Sequence, residues 1–322
     1  MTLRVGTRGS QLARTQTLWV MARLEQSLST APDWTEVVVK TEGDEYTGEL
    51  SKAPTPGIFV SRLREELLAG RVEVIVHSMK DLPAAPYEAI TLAAVPQREN
   101  PADVLISRGD LPLSELAPGS VVGTSSPRRA ASIRRARPDL RPQSIRGNIT
   151  TRIDKVLRGD YDATVLARAG LARIDALDQI SEELDSTVFL PAPRQAALAV
   201  ECRSDDDETL AVLQRLDDPV ARLCTRVEQA ILIGLDAGCH TAVSALATWE
   251  PGGEEPTGGL TLRAELADAD TGEVVSTSGQ LQSSFDALVS DEATAWNFGL
   301  EHAQVLASTA LGRALGKEGQ GS

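Results

Sequence analysis

The chain has 322 residues, 42% of them hydrophobic, and a formal net charge of -14. That length and apolar content suffice for two or three domains with real cores, and the lack of any long uninterrupted apolar run argues against a membrane span. The acidity repels nucleic acid and anionic membranes, so neither is an expected partner.

In chain order, "LRVGTRGSQLARTQTLWVMARL" reads as a short strand, then Arg8 and Gly9, then an amphipathic helix capped by Ser10. "VEVIVHSMKDLP" is an apolar run from Val72 to Val76 that emerges into His77, Ser78, Met79, Lys80 and Asp81 before Pro83 breaks it. The stretch from Val95 to Val104 reads as a hinge. Strands near 104–107, 121–123 and 162–167 belong to a second α/β unit. Within it Ser126 is an N-cap and Pro127 a first helical residue, and Gly147 with Asn148 turns the chain into another helix.

Beyond residue 200 the pattern predicts helices over Asp205–Leu216 and Leu223–Leu232. Three alternating strands follow, "TAVSALATW", "GLTLRAEL" and "EVVSTSG", made antiparallel by the turns between them. One long amphipathic helix is expected from about Phe285 to Leu315. The fold class is therefore α/β, with two lobes, a cleft between them and a small C-terminal α+β domain. The expected boundaries are 1–96 plus about 197–216 for the first lobe, 102–190 for the second, 219–315 for the third domain, and 316–322 for a disordered tail.

Each strand-turn-helix junction places polar groups at the carboxyl end of a buried strand, the edge at which open α/β sheets bind ligands. Arg8, Ser10, Lys80, Asp81, Ser126, Arg128, Arg129, Arg146 and Arg152 are the candidates there. The cations are unevenly spread. Thr124 to Arg152 holds Arg128, Arg129, Arg134, Arg135, Arg137, Arg141, Arg146 and Arg152 inside an acidic chain, which calls for an anionic ligand. Arg128 and Arg129 sit at a helix N-terminus, a natural anion cradle, whereas Arg134, Arg135 and Arg137 read as surface charge further along. Five lysines against twenty-seven arginines fit either a salt-adapted protein or a GC-rich genome.

Cys202, Cys224 and Cys239 are too few for a disulfide framework, and none pairs with His at metal-ligand spacing, so no metal is expected. The N-terminal residues lack a signal-peptide pattern, which with free thiols points to the cytoplasm. Cys239, in "LIGLDAGCHTAVS", stands on a Gly-flanked turn. Spacing alone leaves it as either a small buried filler or a point of attachment.

The segments "VGTRGSQLA", "VHSMKDLP", "VGTSSPRR", "IRGNITTR", "LARAGL", "VECR" and "LDAGC" together resemble the porphobilinogen deaminase (hydroxymethylbilane synthase) family in order and spacing. The resemblance runs from residue 3 to beyond 240. It implies two lobes similar to type II periplasmic binding proteins and a C-terminal domain whose Cys239 carries a covalent dipyrromethane cofactor, one per chain, through a thioether. It also implies stepwise condensation of four porphobilinogen molecules, with loss of ammonia at each step, into the linear tetrapyrrole hydroxymethylbilane, by a monomeric enzyme.

By that resemblance Lys80, Thr124, Ser125, Ser126, Arg128, Arg129, Arg146, Gly147 and Asn148 bind the cofactor. Arg8, Ser10, Arg146, Arg152 and Gln195 bind the substrate, and Lys52, Gly57 and Phe59 belong to a lid. Guanidinium forks suit the acetate and propionate groups of pyrroles. Asp81 is the implied catalytic residue: a carboxylate against pyrrole N–H groups stabilises positive charge where it develops. His77 reads as a packed histidine.

Two departures from the family pattern stand out. Pro54 and Pro56 stiffen the lid segment, and Arg194 and Ala196 replace glycines around Gln195. A periplasmic-type small-anion binding protein or an inactive scaffold are the rival readings. The first would need neither Asp81 nor Cys239, and the second would be expected to have lost one of them.

Overall fold

The computed structural model describes residues 2–30, 32–40, 60–237, 241–252 and 257–319. Contacts divide the chain into two compact units, Met1–Glu99 with Ala196–Arg222, and Asn100–Gln195 with Leu223–Ser322.

In the first unit, β1 (Thr2–Arg8) lies between β2 (Asp33–Val39) and β3 (Val74–Ser78), parallel to both. The late strand β10 (Leu198–Arg203) runs antiparallel to β3 and to β4 (Ile90–Ala94), completing the order β2-β1-β3-β10-β4. Both faces of this sheet are covered, so its strands read as apolar runs. Val74 and Val76 of β3 pack with Leu3, Val5 and, from α1 (Gln11–Ser27), Val20, Met21 and Leu24. Ile75, between them, points to the other face and packs with Leu63 and Leu67 of α2 (Ser61–Leu68). The side-chain period of two explains that split.

The second unit repeats the scheme. Its five-stranded sheet has the order β7-β6-β8-β5-β9, from β5 (Asp103–Ser107), β6 (Val121–Gly123), β7 (Arg141–Gln143), β8 (Ala163–Ala167) and β9 (Glu182–Glu183). Here β5 is the reversed strand beside β8, and β6 is parallel to β7 and β8. Leu105, Val122 and Val165 pack on Ile133 of α3 (Pro127–Ala136), while Val104, Ile106 and Leu166 pack on Ile153 of α4 (Ile149–Leu157) and on Leu171 of α5 (Arg168–Arg173).

The same unit holds the antiparallel sheet of β11 (Ala242–Pro251), β12 (Thr257–Ala267) and β13 (Val274–Ser284). Its core joins Ala245, Leu260, Leu262 and Leu266 to Val227 and Ile231 of α7 (Pro219–Gly234), the helix after α6 (Asp207–Leu213). The expected long C-terminal helix is instead three: α8 (Phe285–Ser290), α9 (Glu292–Ala307) and α10 (Ala310–Gly319). Polar side chains bond the backbone locally where α8 and α9 end. Ser290 Oγ donates to Asp286 O at 2.7 Å, and Thr309 Oγ1 to Leu306 O at 2.7 Å. Helical backbone also reaches Gly319, into the expected tail, since helix hydrogen bonding continues past Gly316; residues 320–322 lie outside the described part.

Among the described residues no helix is long and apolar enough to cross a membrane, and no group of three or more His, Cys, Asp or Glu is placed to hold a metal ion.

Candidate active site

Because β1 and β3 are parallel neighbours, the turns that follow them open at the same sheet edge. Arg8 is the last residue of β1, and Ser10 caps α1, its Oγ accepting Ala13 N–H at 3.3 Å. A buried Gln16 on the same helix donates through Nε2 to Ser78 Oγ at 2.8 Å, fixing the end of β3. The chain then makes a single 3-10 turn, Met79–Asp81. Met79 and Leu82 are buried, and Met79 N–H donates to Ala197 O at 2.9 Å. Lys80 and Asp81 are left exposed on an anchored turn. Two apolar residues going inward force the two charged ones outward.

His77 lies in β3, buried, with Nε2 at 3.4 Å from Oε2 of buried Glu201 on β10. Glu201 also receives the Arg64 guanidinium. Burial pushes the Glu201 carboxyl up, but His77 and Arg64 outweigh it and hold the group at about 2. His77 is packed as expected, with an acidic partner that sequence spacing did not reveal.

In the second unit the edge formed by β6, β7 and β8 gathers Thr124, Ser125, Ser126, Arg128, Arg129, Arg146, Gly147, Asn148 and Arg152. Ser126 Oγ accepts Arg129 N–H at 3.4 Å, Pro127 opens α3, and Thr124 Oγ1 accepts Ser126 N–H at 3.2 Å. Ser125 Oγ bonds Ile145 O at 2.7 Å, tying the turn before α3 to the turn before α4. Asn148 caps α4 through Thr151 N–H at 2.9 Å. Gly147 has φ +114°, and a Cβ there would lie 2.6 Å from Thr151 Cγ2, so both the backbone and the space require glycine.

The arginines are held differently. Arg128 and Arg129 are buried and converge on fully buried Asp103, at the start of β5. Arg128 adds a bond to Leu190 O at 2.7 Å and Arg129 one to Val165 O at 3.0 Å. Burial favours the neutral form of Asp103, yet the two guanidiniums hold its carboxyl far below the usual range. Arg152 folds back so that Nε donates to Gly147 O at 2.8 Å. Burial first, then the positive charges of Arg129 and Arg146, bring its pKa down to about 10. Like charges are thus concentrated at this edge.

Gln195 is buried, its Nε2 donating to Pro101 O at 2.7 Å and Asp103 Oδ1 at 2.8 Å. Its side chain therefore joins the arginine set through Asp103. Arg134, Arg135 and Arg137, expected as surface charge, are structural anchors instead. Arg134 bonds Ala269 O, Arg135 bonds Val188 O and pairs with Glu265, and Arg137 reaches Leu113 O at 2.6 Å and Leu116 O at 2.8 Å. Backbone carbonyls accept readily from guanidiniums, which carry several donors, whichever helix face presents them. Cys239, Lys52, Gly57 and Phe59 lie outside the described residues.

The model of the "Porphobilinogen deaminase, dipyromethane cofactor binding domain" family matches residues 3–211. The chain belongs to the porphobilinogen deaminase family. Porphobilinogen deaminase of Mycobacterium bovis (strain BCG / Pasteur 1173P2) is 43% identical over 281 residues, 86% of this chain and 89% of the relative. That of Mycolicibacterium paratuberculosis (strain ATCC BAA-968 / K-10) is 42% identical over 280 residues, 86% and 88% of the two chains. Solved structures similar to it include the BvgS periplasmic VFT2 domain of Bordetella pertussis, 14% identical with a TM-score of 0.40, covering 67% of this chain and 86% of that one. Another is a zinc-bound ligand-binding component of an ABC-type import system from Staphylococcus aureus, 11% identical with a TM-score of 0.38, covering 72% and 73%.

Against the porphobilinogen deaminase pattern, the replaced glycines have a structural cost here. Arg194 has φ 62° and Ala196 φ 74°, the left-handed region in which a side chain is strained.

Proposed function

We propose that this chain is a hydroxymethylbilane synthase, condensing four porphobilinogen molecules into hydroxymethylbilane, with release of ammonia, for tetrapyrrole biosynthesis. The observation that carries the reading is the gathering of Arg128, Arg129, Arg146 and Arg152 at one sheet edge, where burial first and the charges of Arg129 and Arg146 second bring the Arg152 pKa down to about 10. Such like charges persist together when polycarboxylate ligands neutralise them.

A dipyrromethane, with its acetate and propionate groups, fits that donor set. Arg128, Arg129, Arg146 and the polar turn residues Thr124, Ser125, Ser126, Gly147 and Asn148 would hold it, with Lys80 adding a donor and Cys239 the covalent link. When bound, the group supplies the free pyrrole position onto which substrate condenses. Arg8, Ser10, Arg146 and Arg152 bind substrate carboxylates, and Gln195 serves the same set through Asp103.

Asp81 is the catalytic residue. It is exposed on a turn that Met79 and Leu82 anchor, so its charge is presented without collapse of the turn. There it accepts hydrogen bonds from pyrrole N–H groups, stabilising the cation left when porphobilinogen loses ammonia, and it assists transfer of the proton released on coupling. Lys52, Gly57 and Phe59 form the lid. Residues 219–315 act as the cofactor-bearing domain, and 1–96 with 197–216 and 102–190 act as the two lobes. The enzyme works in the cytoplasm as a monomer, independent of nucleic acid.

Intact mass tests the reading. The purified chain should exceed its sequence mass by one dipyrromethane, and Cys239→Ser should lack both the added mass and the activity. Cys202→Ser and Cys224→Ser should retain both, because those thiols are buried and burial pushes Cys202 up to about 11, away from the reactive thiolate. A parent chain of bare sequence mass and no deaminase activity would leave an anion-binding protein or an inactive scaffold.

A further inference from the structure

Arg128 and Arg129 are consecutive on α3, and consecutive helical side chains diverge by about 100° around the axis. Two diverging guanidiniums do not address one ligand unless something gathers them. In this structure that something is Asp103, which has no ligand-facing role of its own.

Its carboxylate is fully buried and saturated. Oδ2 accepts Arg128 Nη2 at 2.7 Å and Arg129 Nε at 3.1 Å; Oδ1 accepts Arg129 Nη2 at 2.7 Å and Gln195 Nε2 at 2.8 Å. A carboxylate offers about four lone-pair sites, all taken here. The arginines are not saturated by it: each guanidinium has about five N–H groups, and Arg128 Nε is buried without a hydrogen-bond partner. One negative charge against two positive ones also leaves the trio cationic. Asp103 thus orients the pair and offsets part of its repulsion while leaving donors and net charge for an anion.

We infer that Asp103 is a positioning residue that draws Arg128 and Arg129 together, with Gln195 fixing its own orientation, so that the pair acts as one carboxylate-binding unit. The inference rests on the proposed cofactor and substrate roles of these arginines, and it adds a residue that those roles did not include. It is the anionic counterpart of the outer groups that orient metal ligands.

The test is Asp103→Asn in the full chain, with Asp103→Glu beside it. The readouts are thermal melting, the fraction of purified chains carrying the dipyrromethane mass, and KM and kcat for porphobilinogen per loaded chain. Asp103→Asn should either lower the loaded fraction about tenfold or raise KM about tenfold, the scale of one misplaced charged hydrogen bond. The kcat per loaded chain should change by less than about threefold, since Asp81 is untouched.

Asp103→Glu keeps the charge but displaces the carboxylate by one methylene, so it should fold and show the same KM and loading defect in milder form. A purely structural residue would lower the melting temperature and leave loading and KM of the folded molecules at parental values, which overturns the inference. If Asp103→Asn fails to fold, Asp103→Glu decides alone, parental loading and KM again overturning it. Failure of the underlying reading looks different, because then the parent chain itself carries no added mass.

Discussion

Glu201, on the reversed strand of the first sheet, takes Nε and Nη2 of Arg64 from α2 at 3.1 and 2.6 Å, and both side chains are largely buried. Its carboxyl is held at about 2, below an ordinary value of 4.5. A carboxyl with a depressed folded-state pKa stabilises the fold fully above its unfolded value, and that contribution is lost as pH falls through the folded value. Glu201→Gln should therefore cost on the order of 3 kcal/mol near neutrality, with the gap to the parent closing as pH falls from about 4.5 toward 2. Denaturant titrations at a series of pH values check this. A gap that is independent of pH would mean that the loss comes from packing and not from charge.

Asp81 tests chemistry apart from assembly. Asp81→Asn keeps the shape of the 3-10 turn, whose anchors Met79 and Leu82 stay in place. The variant should melt within about 0.5 kcal/mol of the parent and still carry covalent pyrroles. Its turnover should fall by about two to three orders of magnitude, the scale of one preorganised electrostatic contact. Near-normal turnover would remove Asp81 from the catalytic role.

Backbone strain flanks Gln195. Ala196 has φ 74°, where an L-residue gives up about 1 to 2 kcal/mol that glycine does not. Ala196→Gly removes that strain and one buried methyl, worth about 0.8 kcal/mol, so the variant should be more stable by up to about 1 kcal/mol. Ala199→Gly, in β10 and fully buried, removes a methyl with no strain to relieve, and should lose about 1 to 2 kcal/mol. Equal losses at the two positions in urea unfolding would contradict the left-handed backbone at Ala196.

What the sequence by itself determined is what its own neighbours can satisfy. Ser10, Ser126 and Asn148 accept N–H groups three residues on, from Ala13, Arg129 and Thr151, so caps and helix starts were legible from local pattern. Strands β5, β6 and β8 were legible for a similar reason, since sheets covered on both faces need short apolar runs bounded by turns. Missing from that pattern were the breaks at Ser290 and Thr309, where an apolar period continues through residues whose hydroxyls cap the preceding turn.

The tertiary structure alone decided where each arginine spends its charge. Arg128 meets a carboxylate 25 positions away, Gln195 reaches the same group across 92, and Arg134 finds a carbonyl 135 residues on. Eight arginines between Thr124 and Arg152 looked alike as a basic segment. Folding sorted them, because a buried guanidinium must be met by acceptors and those acceptors arrive on strands from elsewhere in the chain. Asp103 passed as part of a hinge for the same reason: an acidic residue before a strand has no visible purpose until the helix that carries its two arginines packs over it.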